Sequence, residues 1–348
     1  MQKKEGPKLN SIELFAGAGG LALGLEMAGF STRALVEIDE YCCETLRYNA
    51  PKYFPHALVF QKDITQLDVA EVLDAVQLKQ DEIDLIAGGP PCQSFSISKI
   101  PKGGRSLDDP RDNLFLHFVR FVKEVRPKVF LMENVPGLLN KAKGEVFQRV
   151  LDAFSSLGYK LNYEVLNAAD YGVPQIRKRL FILGSRDGHL LSFPAPTHSK
   201  VYPNLLDLPP YVTIRQAFSQ LTPDMPNQEM PKHTKKKIEK LASLTPGSAW
   251  KNWRFRDALD KPSRCITGHC RDDWTHPQEP RTGTVREVAT LQSFPTDYVF
   301  RGPIMAMNYV KFQFQYRQVG NSVPVLLAKA IGEAILRQIE SVEMQQLV

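Results

Sequence analysis

Three groups of side chains in this sequence have the types and spacing that chemistry needs. The first is the thiol of Cys92, in Gly88-Gly89-Pro90-Pro91-Cys92-Gln93-Ser94-Phe95-Ser96. A lone cysteine is most often a packed core residue. A core residue, however, has no use for two rigid prolines on one side and a polar Gln-Ser turn on the other, so Cys92 reads as an accessible, poised thiol. The second is Glu133, which ends the apolar run Lys128–Met132. A carboxyl group just past a buried strand can hold its proton near neutral pH. A helix cap or a surface acid is the plainer alternative. The third is the pair Arg177 and Arg179, which alternate and would share one side of a strand. By itself an Arg-x-Arg pair is usually a solvated edge, since arginine sits mostly at the surface.

The elements around these groups explain how they could converge. Ile83–Ala87 is a short buried strand leading to Cys92. The open α/β sheet places its ligands past the carboxyl ends of such strands. The polar segment from Ser98 to Arg111, with Gly103 and Gly104, is a loop able to close over a site. Near the start, Ser11–Phe15 reads as a strand, Ala16–Gly20 as a tight turn, and Leu21–Ala28 as a helix capped by Gly29. Glycines let the backbone approach a ligand, and the helix start points amides at it. The next strand, Thr32–Val36, ends at Glu37, where an acid would hold ribose hydroxyls. Gly17-x-Gly19-x-x-Ala22 with Glu37 therefore indicates a nucleoside cofactor, without separating a dinucleotide from S-adenosylmethionine. Asp63, after Val59-Phe60, could accept from an adenine amino group or cap a helix over Leu67–Leu78. Helices over Asp112–Val125 and Glu145–Leu157 and strands around Tyr163–Leu166 and Arg179–Leu183 continue the alternation. The expected fold is α/β, a doubly wound and mostly parallel sheet over residues 9 to 185.

After Gly184 the texture changes. Prolines 194, 196, 203, 209 and 210 interrupt helices, and a basic run, Lys232–Lys237, is followed by Trp250–Arg256. Basic residues interleaved with aromatics suit phosphate and base contacts. The chain has 348 residues, enough for about two domains, and a net charge of +6 from 44 Lys and Arg against 38 Asp and Glu. That excess is mild, so its placement matters more than its size. The five cysteines, Cys42, Cys43, Cys92, Cys265 and Cys270, lack paired spacing, so no disulfide framework is expected. Cys265 and Cys270 with His269 and His276 do not have the usual zinc-ligand spacing, and no metal is expected. There is no apolar leader and no bilayer-length apolar run, so the expectation is a soluble, cytoplasmic protein with reduced thiols.

Taken together, the motifs resemble those of a bacterial DNA (cytosine-5)-methyltransferase. In chain order they are Phe15-Ala16-Gly17-Ala18-Gly19-Gly20, Glu37-Ile38-Asp39, Asp63-Ile64, Pro90-Pro91-Cys92-Gln93, Glu133-Asn134-Val135, Gln175-x-Arg177-x-Arg179, Arg286-Glu287 with Leu291–Pro295, and Gly320-Asn321-Ser322-Val323-Pro324. They span nearly the whole chain. Each alone is weak, and the ordered set is specific. The resemblance implies an S-adenosylmethionine-dependent methyltransferase fold with a smaller, irregular target-recognition domain. It divides the chain into 1–188, catalytic and cofactor-binding, 189–311, target recognition, and 312–348, a C-terminal return. It implies Cys92 as nucleophile toward cytosine C6, Glu133 at N3 and the amine, Arg179 at O2, and Arg177 beside it. The cofactor would lie against Phe15, Gly17, Gly19, Gly20, Glu37, Ile38, Asp63, Ile64, Pro90, Asn321 and Ser322. Double-stranded DNA would touch Ser98, Lys235, Lys236, Arg264, Thr267 and Arg271, with the base flipped out of the helix. Cys265 stands where the family often has threonine before an Ile-Thr pair. A monomer is expected, beside a restriction endonuclease acting separately. An RNA cytosine-5 methyltransferase and a non-catalytic DNA-binding module are the competing readings.

Overall fold

The structure is a computed structural model. It describes residues 8–91, 114–201, 203–204, 206–250, 254–304, 306–307, 311–312 and 314–346. Cys92 and Ser98 lie outside the described residues, as does the expected closing loop.

Seven strands form the central sheet: β1 (Asn10–Leu14), β2 (Ser31–Glu37), β3 (Leu58–Gln61), β4 (Leu85–Gly88), β5 (Val129–Asn134), β6 (Lys160–Asn167) and β7 (Lys178–Ser185). Their order is β3-β2-β1-β4-β5-β7-β6. All neighbours are parallel except β7, which runs antiparallel to both β5 and β6. The chain therefore winds outward from β1 in two directions, and the switch point falls between β1 and β4. Both strands end there, one in the glycine turn and the other in Gly88–Pro91. Open sheets bind ligands at such a crevice.

Strand periodicity sorts the core. Ile86, Phe130, Met132, Leu180 and Ile182 face a cluster with α3 (Val69–Val76), α4 (Leu114–Val125) and α5 (Glu145–Ser155). Their neighbours Leu85, Ala87, Val129, Leu131, Phe181 and Leu183 face the opposite cluster with α1 (Gly20–Ala28) and α11 (Val325–Gln346). Successive strand side chains point to opposite faces, so the middle of β4, β5 and β7 is apolar on both, and charged residues enter only near the strand ends. The helical stretch Phe314–Val342 is long and apolar enough to cross a membrane, but 67% of its most apolar window is buried inside the protein.

The remaining elements are short apart from α2. They comprise α2 (Glu40–Tyr53), α6 (Ile214–Phe218), α7 (Lys235–Ala242), α8 (Cys270–Asp273), α9 (Val285–Leu291) and α10 (Phe314–Asn321). A three-stranded sheet of β8 (Ser248–Trp250), β9 (Arg254–Arg256) and β10 (Trp274–Thr275) lies among them, and β11 (Ala306–Met307) pairs with β12 (Lys311–Phe312). The apolar core crosses the expected boundary at residue 189. Ile214, Trp274, Val288 and Phe294 share one cluster with Ala18, Leu35, Leu46 and Phe54 of the first half.

Candidate active site

The carboxyl ends of β1, β2 and β4 open on one cavity of about 1110 Å³, large enough for a drug-sized ligand. The glycine turn forms one wall. Phe15 has φ 57°, a left-handed conformation uncommon for a non-glycine residue. Gly17 has φ +54°, and a Cβ there would meet nothing within 4 Å among the described residues. A side chain at Gly17, which lines the cavity, would therefore protrude into it. Gly20 also lines the cavity, whereas Gly19 sits behind the wall as the N-cap of α1.

Glu37 holds this turn to β2. Its carboxylate accepts from the backbone N–H of Gly17 at 2.7 Å, of Ile38 at 2.8 Å and of Asp39 at 2.9 Å. A carboxylate has about four acceptor positions, so this one retains capacity for a ligand hydroxyl. Burial pushes its pKa up, and the three N–H donors pull it back. Ile38, 63% exposed, gives the cavity an apolar surface, and Ile64 lines it from β3's side. Asp63 also lines the cavity, while one of its oxygens accepts from Thr65 N at 2.9 Å, capping a turn. The helix expected from Leu67 is capped instead by Asp68, through Ala70 N at 3.0 Å, and spans Val69–Val76. The reason is local. Asp68 is adjacent to the first helical residue, whereas Asp63 already closes the preceding turn.

At the other end of the cavity Glu133, closing β5, pairs with Arg179 on β7, Oε1 to Nε at 3.0 Å. The two side chains are only 14% and 15% exposed. Burial pushes the Glu133 pKa up; Arg179 and, less directly, Arg177 pull it down. Gly89 makes the approach possible, because a Cβ there would stand 2.9 Å from Glu133 Oε2. The Pro90 carbonyl accepts from Asn134 Nδ2 at 3.2 Å. The segment leading directly to Cys92 is thus fixed beside Glu133.

Arg177, expected to face the substrate with Arg179, also lines the cavity, but its guanidinium is engaged by the protein's own backbone. It is 1% exposed. It donates to the carbonyls of Ile266 at 2.6 Å, Gly320 at 2.9 Å and Ser322 at 3.1 Å, and to Cys265 Sγ at 3.4 Å. Ser322 lines the cavity, but its hydroxyl turns back to Gln318 O at 2.7 Å. Asn321 is exposed on the cavity wall. Thr267 also reaches the wall, with its hydroxyl bonded to Asp273 Oδ2 at 2.7 Å.

Among the expected DNA contacts, Lys235 and Lys236 are exposed in the first turn of α7. Arg264 has a 44% exposed side chain over the Phe255 ring, with Asp257 at 3.4 Å. Arg271 is less available, with a side chain 13% exposed that lies 3.6 Å from Asp272.

Two residues were missed in the sequence. Glu13 lines the cavity from β1, is 3% exposed, and has an Oε2 atom with no hydrogen-bond partner among the described residues. Burial drives its pKa well up, against one backbone N–H from Ala22. An acid between two apolar residues of a central strand, Ile12 and Leu14, was the available signal. Tyr298 donates to Ala18 O at 2.7 Å, so the late segment buttresses the glycine turn. No local sequence pattern points to that contact.

Comparison with known proteins identifies the family. The family model for C-5 cytosine-specific DNA methylase matches residues 9–337. Type II methyltransferase M1.HphI of Haemophilus parahaemolyticus is 40% identical, over 94% of this chain and 87% of its own. Type II methyltransferase M.Eco47II of Escherichia coli is 34% identical, over 95% and 79%. A solved structure of a candidate DNA modification methyltransferase encoded within an E. coli prophage superposes with a TM-score of 0.73 at 28% identity, covering 96% of this chain and all (100%) of that one. The fold alone is shared with a Spodoptera frugiperda DNMT2 mutant, TM-score 0.65 at 19% identity, over 94% and 100% of the two chains. This chain belongs to the C-5 cytosine-specific DNA methylase family.

Proposed function

We propose that the chain methylates C5 of one cytosine in a specific duplex DNA sequence, as the modification enzyme of a restriction–modification system, through a covalent bond between Cys92 and C6. The observation that carries this is the Glu133–Arg179 pair set against Gly89 and Pro90, on the same cavity as the glycine turn. C5 of cytosine is a poor nucleophile. Addition of the Cys92 thiolate at C6 turns the ring into an enamine and makes C5 nucleophilic. Glu133, with its pKa raised by burial, supplies the proton that N3 needs as the ring gains electrons. Arg179 orients that carboxyl and offers its remaining N–H groups to O2. After C5 is methylated, its proton leaves and the Sγ–C6 bond breaks, which returns the thiolate. A stacked base is out of reach of these groups, so the cytosine must leave the duplex.

The cavity wall suits S-adenosylmethionine. Glu13 offers a buried acceptor with an open oxygen to a cationic ammonium, Glu37 and Asp63 offer acceptors to ribose and adenine, and Ile38 offers an apolar face. When bound, S-adenosylmethionine supplies an electrophilic methyl group. Residues 1–188 and 312–348 are assigned to catalysis and cofactor binding. Residues 189–311, with exposed Lys235, Lys236 and Arg264, are assigned to target recognition. The enzyme is expected to work as a monomer in the cytoplasm, independently of its endonuclease. The test is transfer of tritium from labelled S-adenosylmethionine to duplex DNA and to tRNA, with bisulfite sequencing of the DNA. Label in one DNA sequence context supports the proposal, and label in tRNA alone overturns it.

A further inference from the structure

Arg177 is a buried cation whose hydrogen bonds run to backbone carbonyls and a thiol. Burial pushes its pKa down to about 10, so the charge is held at a cost. That cost is offset by three backbone carbonyls satisfied at once, which no apolar residue could do. What the guanidinium does is join two loops. Ile266 belongs to the loop that carries Cys265 and Thr267 on the cavity wall. Gly320 and Ser322 frame Asn321, at the carboxyl end of α10. Helix carboxyl ends leave unsatisfied carbonyls and partial negative charge, which an arginine fork satisfies. The loops also touch. A Cβ on Gly320 would stand 2.0 Å from Thr267 O, and one on Gly268 would stand 2.8 Å from Asn321 Oδ1. Gln175, on the same strand approach, accepts from Ile266 N at 2.7 Å and donates to Gln292 Oε1 at 3.0 Å. Gln292 in turn donates to Val319 O at 2.9 Å.

We infer that Arg177 is a positioning residue that locks the target-side loop 265–268 to the cofactor-side loop 320–322, so that DNA and cofactor binding depend on each other. This rests on the assignment of those loops to DNA and cofactor made above. Lysine cannot replace it, because one ammonium cannot reach both loops with the geometry of a planar fork.

The test measures S-adenosylhomocysteine and a target-site duplex separately and together by isothermal titration, in wild type, Arg177→Lys and Gly320→Ala. In wild type each probe should tighten the other at least about five-fold, the low end of ordinary coupling. In both variants each probe still binds alone, and the mutual effect falls below about two-fold, too small to count as coupling on that scale. If Arg177→Lys does not fold, Gly320→Ala decides, since its Cβ would push the Thr267 backbone away and so strain the same contact while leaving Arg177 in place. Wild-type coupling in the folded variants, or none in wild type, overturns the inference. A wild-type protein that binds neither probe overturns the functional assignment instead.

Discussion

The sharpest perturbation of the site is Glu133→Gln. The amide keeps the shape and keeps an oxygen for Arg179, 3.0 Å away in the wild type, but it carries no transferable proton. Two costs follow, and they read out differently. Loss of a positioned proton donor slows the chemical step by roughly 10²–10⁴-fold, or about 3–5.5 kcal/mol in the barrier. Removing one charge of a pair only 14% and 15% exposed would cost up to about 3–5 kcal/mol of stability if the arginine were left alone. Because glutamine still accepts from Arg179, the loss should fall nearer about 1 kcal/mol, the worth of an ordinary hydrogen bond. The assay is single-turnover methyl transfer as a function of pH, with thermal unfolding alongside. In wild type the rate rises as the Cys92 thiol ionises. Loss of the Glu133 proton, which burial retains above the ordinary carboxyl range, opposes that rise, so the profile is bell-shaped with a descending limb at high pH. The variant should lose the descending limb together with the rate. A variant that keeps more than a tenth of the wild-type rate, or keeps the descending limb, would refute the role given to Glu133.

Two further outcomes follow from the same structure. Glu13→Gln should weaken S-adenosylhomocysteine binding about ten-fold, the loss of one charge-assisted hydrogen bond, measured by calorimetry. It should also raise the melting temperature of the ligand-free protein at pH 8. Folded Glu13 keeps its proton to higher pH than unfolded Glu13, so wild-type stability is lost as pH rises above the ordinary carboxyl range, and the difference should vanish near pH 4. Converting Lys235 and Lys236 to glutamine should weaken duplex binding and flatten the log–log salt slope by about 0.9 per phosphate contact. The same change should slightly stabilise the protein, because cations in the first turn of α7 oppose the helix dipole. An unchanged salt slope would place both lysines in bulk solvent.

Much of the site could be read locally. Each motif at a strand end needs only a few adjacent residues: β1 with its glycine turn, β2 with Glu37, β4 with Gly88–Pro91, β5 with Glu133. Arg177 was not readable in this way. It lines the cavity with Arg179, but its burial is imposed by carbonyls 89 to 145 residues later in the chain. Asp63 was ambiguous because a cap and a ligand acceptor use the same oxygens. The second half looked irregular because β8, β9 and β10 have only two or three residues each, too few for periodicity to register. The core shared between α9 and the glycine turn is a long-range contact of the same kind as that of Arg177.

The most direct measurement of the central claim is covalent capture. A duplex carrying 5-fluorocytosine at the target position should receive the methyl group and then stall, because fluorine cannot leave C5 as a cation. The protein should remain bonded to DNA through Cys92 Sγ and migrate as an adduct in denaturing electrophoresis. Formation should require S-adenosylmethionine, and it should fail when the fluorinated base stands elsewhere, since only the target base is flipped. Cys92→Ser should give no adduct. An active enzyme that forms no adduct, or an adduct that persists in Cys92→Ser, would contradict the account.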